Sequence, residues 1–81
     1  MNPRLRTPFT PRERQVADLI GDNKSYQEIG EALGLSPHTV RAYVIQMAMK
    51  IDFCREPAPE PRLAVYSFVL HERFVAQGKA V

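Results

Sequence analysis

Residues 26–47 read YQEIGEALGLSPHTVRAYVIQM, and they decide the fold because they encode a short helix, a tight turn and a longer helix. Ser25 and Glu28 have the spacing of a capping box, which marks the start of the short helix. Gly34 suits the left-handed residue at its end. The dipeptide 36–37, Ser-Pro, then marks the start of the second helix.

The two helices are predicted to cross closely. Gly30 is expected to face Val40, since two helices that approach each other steeply need a small residue on one of them. The longer helix is predicted from about Ser36 to Ile51, with apolar residues recurring on one face. This arrangement is a helix-turn-helix, whose second helix fits a DNA major groove about 12 Å wide.

The flanking sequence predicts an all-α, four-helix domain. Residues 1–10 form a basic N-terminal arm, residues 11–51 a three-helix core with the helix-turn-helix at 26–51, residues 52–61 a proline-rich linker, and residues 62–78 a C-terminal helix. The first helix, about Pro11 to Gly21, follows a second capping box made by Thr10 and Glu13. Repeated prolines favour an extended linker, and no strand pair is expected.

Charge is concentrated in two basic stretches rather than in the total. The chain has 81 residues, enough for one domain, and a net charge of only +2. Before Glu13 the charged residues are all basic: Arg4, Arg6 and Arg12. Between residues 32 and 51 the formal charges are Arg41 and Lys50. Both stretches are candidates for contact with phosphate.

Several function classes are not expected. His38, His71 and Cys54 lie far apart without the spacing of a metal site, so no metal or other cofactor is predicted. No phosphate loop or catalytic constellation is recognised, so the chain is not expected to be an enzyme. There is no apolar run of membrane-spanning length and no apolar signal-peptide core near the start, so no membrane partner is expected. The single cysteine fits a cytoplasmic location.

An ordered set of motifs resembles the LuxR-type (GerE-like) helix-turn-helix domain over roughly residues 9–51. The motifs are Phe9-Thr10-Pro11-Arg12-Glu13-Arg14, Lys24-Ser25, Glu28-Ile29-Gly30, Leu33-Gly34-Leu35-Ser36, Thr39-Val40-Arg41 and Lys50-Ile51. The resemblance implies a bacterial transcription regulator that binds double-stranded DNA as a homodimer, with the last helix at the dimer interface.

The resemblance also assigns residues. Base reading falls to Arg41, Ala42 and Ile45, and phosphate contact to Lys24, Ser25, Thr39 and Lys50. Further DNA contacts are assigned to His38, Tyr43 and Gln46. The dimer contacts are assigned to Leu63, Tyr66, Val69, Leu70 and Phe74. Arg41 is the main specificity candidate, because its guanidinium group can pair with the edge of a guanine.

Two other functions stay open at this point. Ala42, Ile45 and Met49 form an apolar stripe that fits either thymine methyl groups or a protein partner, such as RNA polymerase or another regulator. A protein-interaction module that acts against a partner regulator is therefore the main alternative, and a DNA-packaging adaptor is the other. The chain is expected to be either a small stand-alone regulator or an excised domain that lacks the sensing domain of a typical family member.

Overall fold

The computed structural model describes residues 4–53 and 59–78. In these ranges the helices are α1 (Pro11–Gly21), α2 (Tyr26–Leu33), α3 (Pro37–Met49) and α4 (Pro61–Ala76). Two very short strands, β1 (Arg4–Leu5) and β2 (Ile51–Asp52), accompany them. The predicted all-α, four-helix class is confirmed, and the helix bounds agree closely with those expected from the sequence.

The helix ends form where the local sequence signals place them. Thr10 Oγ1 accepts from the Glu13 backbone N–H at 3.2 Å, and Glu13 Oε1 accepts from the Thr10 N–H at 2.8 Å. Ser25 and Glu28 repeat this capping box at the start of α2, with distances of 3.1 and 2.9 Å. Gly34 ends α2 at φ 72°, in the left-handed region where a side chain is unfavourable.

One apolar core joins all four helices. α4 packs against both α1 and α3, and Phe68 on α4 meets Phe9 edge to face with ring centroids 5.7 Å apart. The buried apolar residues are Val16, Ala17, Ile20, Ile29, Val40, Val44, Met47, Ile51, Ala64, Val65, Phe68 and Val69. The apolar spacing predicted for α3 is therefore the spacing that the core uses.

The expectation of no strand pair was wrong. β1 pairs with β2 in antiparallel register, Arg4 opposite Asp52 and Leu5 opposite Ile51. The Arg6 N–H donates to the Lys50 carbonyl at 2.7 Å and extends the pairing toward α3. A two-residue strand is too short to show alternating hydrophobicity, so the sequence carries no signal for it.

The predicted N-terminal arm is accordingly part of the folded domain from Arg4 onward. Of the predicted linker, residue 52 lies in β2, and residues 54–58, including Cys54, fall outside the described residues. None of the helices in the described ranges has the length and apolarity to cross a membrane.

Candidate nucleic-acid interface

The angle between α2 and α3 depends on a backbone contact at Gly30. A Cβ added to Gly30 would collide with the carbonyl oxygen of Leu35 in the turn. The Leu35 N–H in turn donates to the Gly30 carbonyl at 2.8 Å. Gly30 was expected to make room for the side chain of Val40, and this expectation was wrong: the glycine makes room for the turn backbone, because the chain doubles back over α2.

α3 presents one face to solvent. Most of the predicted contact residues lie on it: His38, Arg41, Ala42 and Gln46 are exposed, and Thr39, Tyr43 and Ile45 are half-buried. We call the surface formed by His38, Arg41, Ala42, Ile45 and Gln46 the reading face. Arg41 has no ion pair with any residue in the ranges 4–53 and 59–78. Within those ranges no carboxylate neutralises its charge.

The apolar stripe extends the reading face toward the end of α3. Met49 is 72% exposed, which is high for a large apolar side chain, and Ala42 is also exposed. Ala42, Tyr43 and Gln46 share a shallow depression with Thr39. Tyr43 is therefore within the same surface as the residues predicted to contact DNA.

The hydroxyl groups of Ser25 and Thr39 form hydrogen bonds with neighbouring residues of the same chain. Ser25 Oγ accepts the Glu28 N–H, and Thr39 Oγ1 accepts from Ser36 Oγ at 2.9 Å. The backbone N–H of Ser25 and its hydroxyl, both hydrogen-bonded to Glu28, lower the pKa of the Glu28 carboxyl. Lys24 is exposed beside them. Its positive charge also contributes to the lowered pKa of the Glu28 carboxyl.

Lys50 lies in a different environment from the one predicted for a phosphate contact. Its Nζ is 2.6 Å from Glu13 Oε1, and Glu13 is only 3% exposed. Burial alone raises the pKa of the Glu13 carboxyl, but the hydrogen bond and charge of Lys50, together with the Thr10 N–H and hydroxyl, outweigh it and lower the pKa. Lys50 therefore neutralises a buried carboxylate of its own chain.

In the other predicted basic stretch, two of the three arginines also interact with groups of their own chain. Arg6 lies 3.8 Å from Asp52, and Arg12 donates to Gln15 at 3.4 Å and to the Leu33 carbonyl at 3.5 Å. Arg4 lies in β1.

Within the part of the chain that the structure describes, no group of three or more His, Cys, Asp and Glu residues is placed to hold a metal ion.

A family model connects this geometry with known proteins. The model described as "Bacterial regulatory proteins, luxR family" matches residues 7–54, which is more than half of the chain. The chain belongs to the luxR family. Its helix-turn-helix is thus that of a family of DNA-binding transcription regulators, as the sequence motifs predict.

A curated relative agrees with this membership. The luxR-family chain is 36% identical over 45 residues to the transcriptional regulatory protein DesR of Bacillus subtilis (strain 168). The match covers 56% of this chain and 23% of DesR, so the chain spans about a quarter of that relative's length. No solved structure matches.

In this luxR-family domain, α4 carries an exposed apolar surface opposite its core-facing side. Of the residues predicted for dimer contact, Leu63, Leu70 and Phe74 are exposed and Tyr66 is half-buried. Val69 is 0% exposed and packs inside the chain's own core, so its assignment to the dimer surface was wrong. The broad apolar pattern of α4 in the sequence did not show which of its residues face the core and which face solvent.

Sequence reasoning missed Arg62 as a candidate interface residue. Arg62 NH2 donates to the Lys24 carbonyl at 2.6 Å, and its Cζ lies 5.0 Å from the centre of the Tyr26 ring. This contact joins residues 38 positions apart in the chain. A lone arginine in the first turn of a helix gives no local signal of such a contact.

Proposed function

We propose that the chain is a sequence-specific binder of double-stranded DNA that regulates transcription and has no enzymatic activity. The observation that carries this proposal is the exposure of Arg41 on the reading face, without an ion-pair partner among residues 4–53 and 59–78. An arginine on the exposed face of a helix, with no carboxylate partner in these ranges, is well suited to contact a polyanion.

The mechanism follows from the shape of the reading face. α3 enters the major groove, and Arg41 donates two hydrogen bonds to N7 and O6 of a guanine. Ala42 and Ile45 supply apolar contacts for thymine methyl groups. Lys24, exposed at the start of α2, neutralises a phosphate at the side of the groove.

Assembly as a homodimer through α4 is part of the same proposal. Leu63, Leu70 and Phe74 are large apolar residues exposed along one side of α4, and a second copy would remove them from water. Two copies present two reading faces, so the operator would contain two half-sites about one helical turn apart. A cytoplasmic location is consistent with this role.

The test is a selection from random DNA duplexes with the 81-residue chain, followed by fluorescence anisotropy on the selected duplex. We expect a preferred sequence with a guanine that Arg41→Ala no longer selects, at a cost of about 2 kcal/mol in discrimination. Arg73→Ala is the control, since Arg73 already pairs with Asp22 at 3.1 Å. Binding without sequence preference and without dependence on salt would reject the proposal.

A protein-interaction module is the second candidate, and the exposure of Met49 favours it. A methionine 72% exposed beside Ala42 and Ile45 gives the reading face an adaptable apolar edge. In that case the purified chain would not shift DNA even at low salt. It would instead form a stoichiometric complex with a regulator or with RNA polymerase, and Met49→Glu would abolish that complex.

A further inference from the structure

Arg62 is held in a fixed position by two contacts. Its NH2 group donates to the Lys24 carbonyl at 2.6 Å, and its guanidinium carbon lies 5.0 Å from the Tyr26 ring centre, within range of a cation–π contact. Tyr26 is the first residue of α2 and Lys24 lies two residues before it, whereas Arg62 belongs to the first turn of α4. The long side chain is thereby ordered before any ligand arrives.

These contacts leave most of the guanidinium group unused. An arginine has five N–H donors, and the hydrogen bond to Lys24 takes one of them. No carboxylate in the described ranges forms an ion pair with Arg62. Contact with an aromatic face and a carbonyl oxygen does not neutralise the charge, so among residues 4–53 and 59–78 nothing cancels the positive charge of Arg62.

Arg62 also lies beside the reading face. A small depression is lined jointly by residues from α2, from α3 and from the start of α4: Tyr26, Arg41, Ile45, Glu60, Pro61 and Arg62. Arg41 and Ile45 are residues proposed to meet bases, and Lys24 is proposed to meet phosphate. A helix seated in a major groove has the phosphates of both strands along its sides, where the neighbouring elements of the protein lie.

We propose that Arg62 contacts a DNA backbone phosphate beside the groove that receives α3, so that α4 contributes directly to the DNA interface. This inference rests on the proposed DNA-binding function. Tyr26 and the Lys24 carbonyl position the guanidinium group, and Lys24 and Arg62 together give this edge of the reading face two cations. An ordered arginine fork matches the oxygens of a phosphate well and loses little freedom on binding.

Glu60 sets the local balance of charge. It caps the start of α4 without a side-chain hydrogen bond and shares the depression with Arg41 and Arg62. Its carboxylate repels a phosphate that approaches this edge. Replacement of Glu60 by Gln should therefore strengthen binding to duplex DNA at low salt, which is the opposite of the effect of removing Arg62.

The experiment measures the affinity for a duplex with one half-site over a range of KCl concentrations, so that binding is compared per protein chain. Log K falls as log salt rises, and each phosphate neutralised makes the slope steeper by about 0.9. We expect Arg62→Gln to make the slope shallower by about 0.9, so that its affinity deficit relative to the wild type shrinks about eightfold for each tenfold rise in salt. Arg62→Lys should keep the wild-type slope, because it keeps the charge.

Arg73→Gln is the matched control on the same helix. The Arg73 guanidinium is paired with Asp22 and donates to the Asp18 carbonyl, so its charge is already neutralised and the slope should not change. Thermal unfolding of each variant sets a temperature at which all are folded.

The outcomes separate the inference from the function beneath it. If the wild-type chain binds DNA with a steep slope and Arg62→Gln has the same slope, Arg62 only fastens α4 to α2 and the inference is overturned alone. A lower melting temperature of Arg62→Gln with an unchanged slope overturns the inference in the same way. If the wild-type chain does not bind DNA, or binds without dependence on salt, both the proposed function and the inference fail.

Discussion

The two ends of α3 are held in place by different forces, and they leave different charges free. The first half is set by steric fit, since the turn backbone packs against Gly30, and its cation Arg41 faces solvent. At the other end, Lys50, the residue that follows α3, is held by an ion pair of 2.6 Å with the buried Glu13. A basic residue in a recognition helix is therefore available to DNA only where the fold does not use its charge.

The ion pair at the C-terminal end of α3 involves a carboxylate, that of Glu13, which has two roles in the fold. The same carboxyl oxygen accepts the Thr10 N–H at the start of α1 and the Lys50 ammonium at the end of α3. A carboxylate that is 3% exposed is strongly disfavoured in its charged form without such partners. Lys50 also lies where the carbonyl groups at the end of α3 favour a positive charge.

The largest expected effect comes from Glu13→Ala, which removes the anchor at this end. We expect a loss of about 3 kcal/mol in the free energy of unfolding, near the low end for a broken buried ion pair, since Lys50 can turn toward water. Urea unfolding measures it. Glu28→Ala is the matched control, because Glu28 completes the same capping box at α2 but is exposed. Equal losses in the two variants would show that the loss comes from the capping box at the start of α1 and not from the ion pair with Lys50.

The next effect concerns the other end of α3. Gly30→Ala should cost about 2 kcal/mol, because the added Cβ meets the Leu35 carbonyl and the turn backbone must shift. Gly34→Asn is the control: Gly34 has φ 72° with open space around it, and asparagine tolerates that conformation. Chemical denaturation compares the variants. If Gly34→Asn is the more destabilising substitution, then backbone conformation rather than close approach fixes the angle between α2 and α3.

Local signals in the sequence were sufficient for the helices and for most of the reading face. Capping boxes, Gly34 and the spacing of Val40, Val44 and Met47 each act within a few residues, so they can be read from the chain directly. The exposed side of α3 follows from its buried side. This is why the position of Arg41 was predictable.

Contacts between distant parts of the chain were not predictable. Glu13 and Lys50 are 37 residues apart, and Lys24 and Arg62 are 38 apart. Their pairing depends on how the helices pack, which no local pattern encodes. The same holds for Val69, whose burial depends on which side of α4 meets α1 and α3. The sequence identified Arg41, Lys24 and Lys50 as candidate contacts, but not Arg62, and it did not show that Lys50 pairs with Glu13.

Acid should weaken the C-terminal end of α3 selectively. The pKa of Glu13 is lowered from its ordinary value of 4.5, so its contribution to stability is present above that pH and is lost as the pH falls through the folded-state pKa. We expect the difference in unfolding free energy between the wild type and Glu13→Gln to shrink steadily below about pH 4.5. Unfolding curves between pH 3 and 7 (approximately) would measure it. A difference that stays constant over this range would mean that folding does not lower the pKa of Glu13.

The smallest expected effect is that of Lys50 on the salt dependence of DNA binding, although the sequence motifs predict Lys50 to be a phosphate contact. Lys50→Gln should lower the salt slope of DNA binding by much less than the roughly 0.9 of a full phosphate contact, since Lys50 already neutralises Glu13. Lys24→Gln is the matched comparison, because Lys24 is exposed and should lower the slope by close to that amount. Anisotropy titrations on one duplex across KCl concentrations compare the two variants directly. If Lys50→Gln reduces the slope as much as Lys24→Gln does, DNA competes with Glu13 for Lys50, and the two ends of α3 are equally available to phosphate.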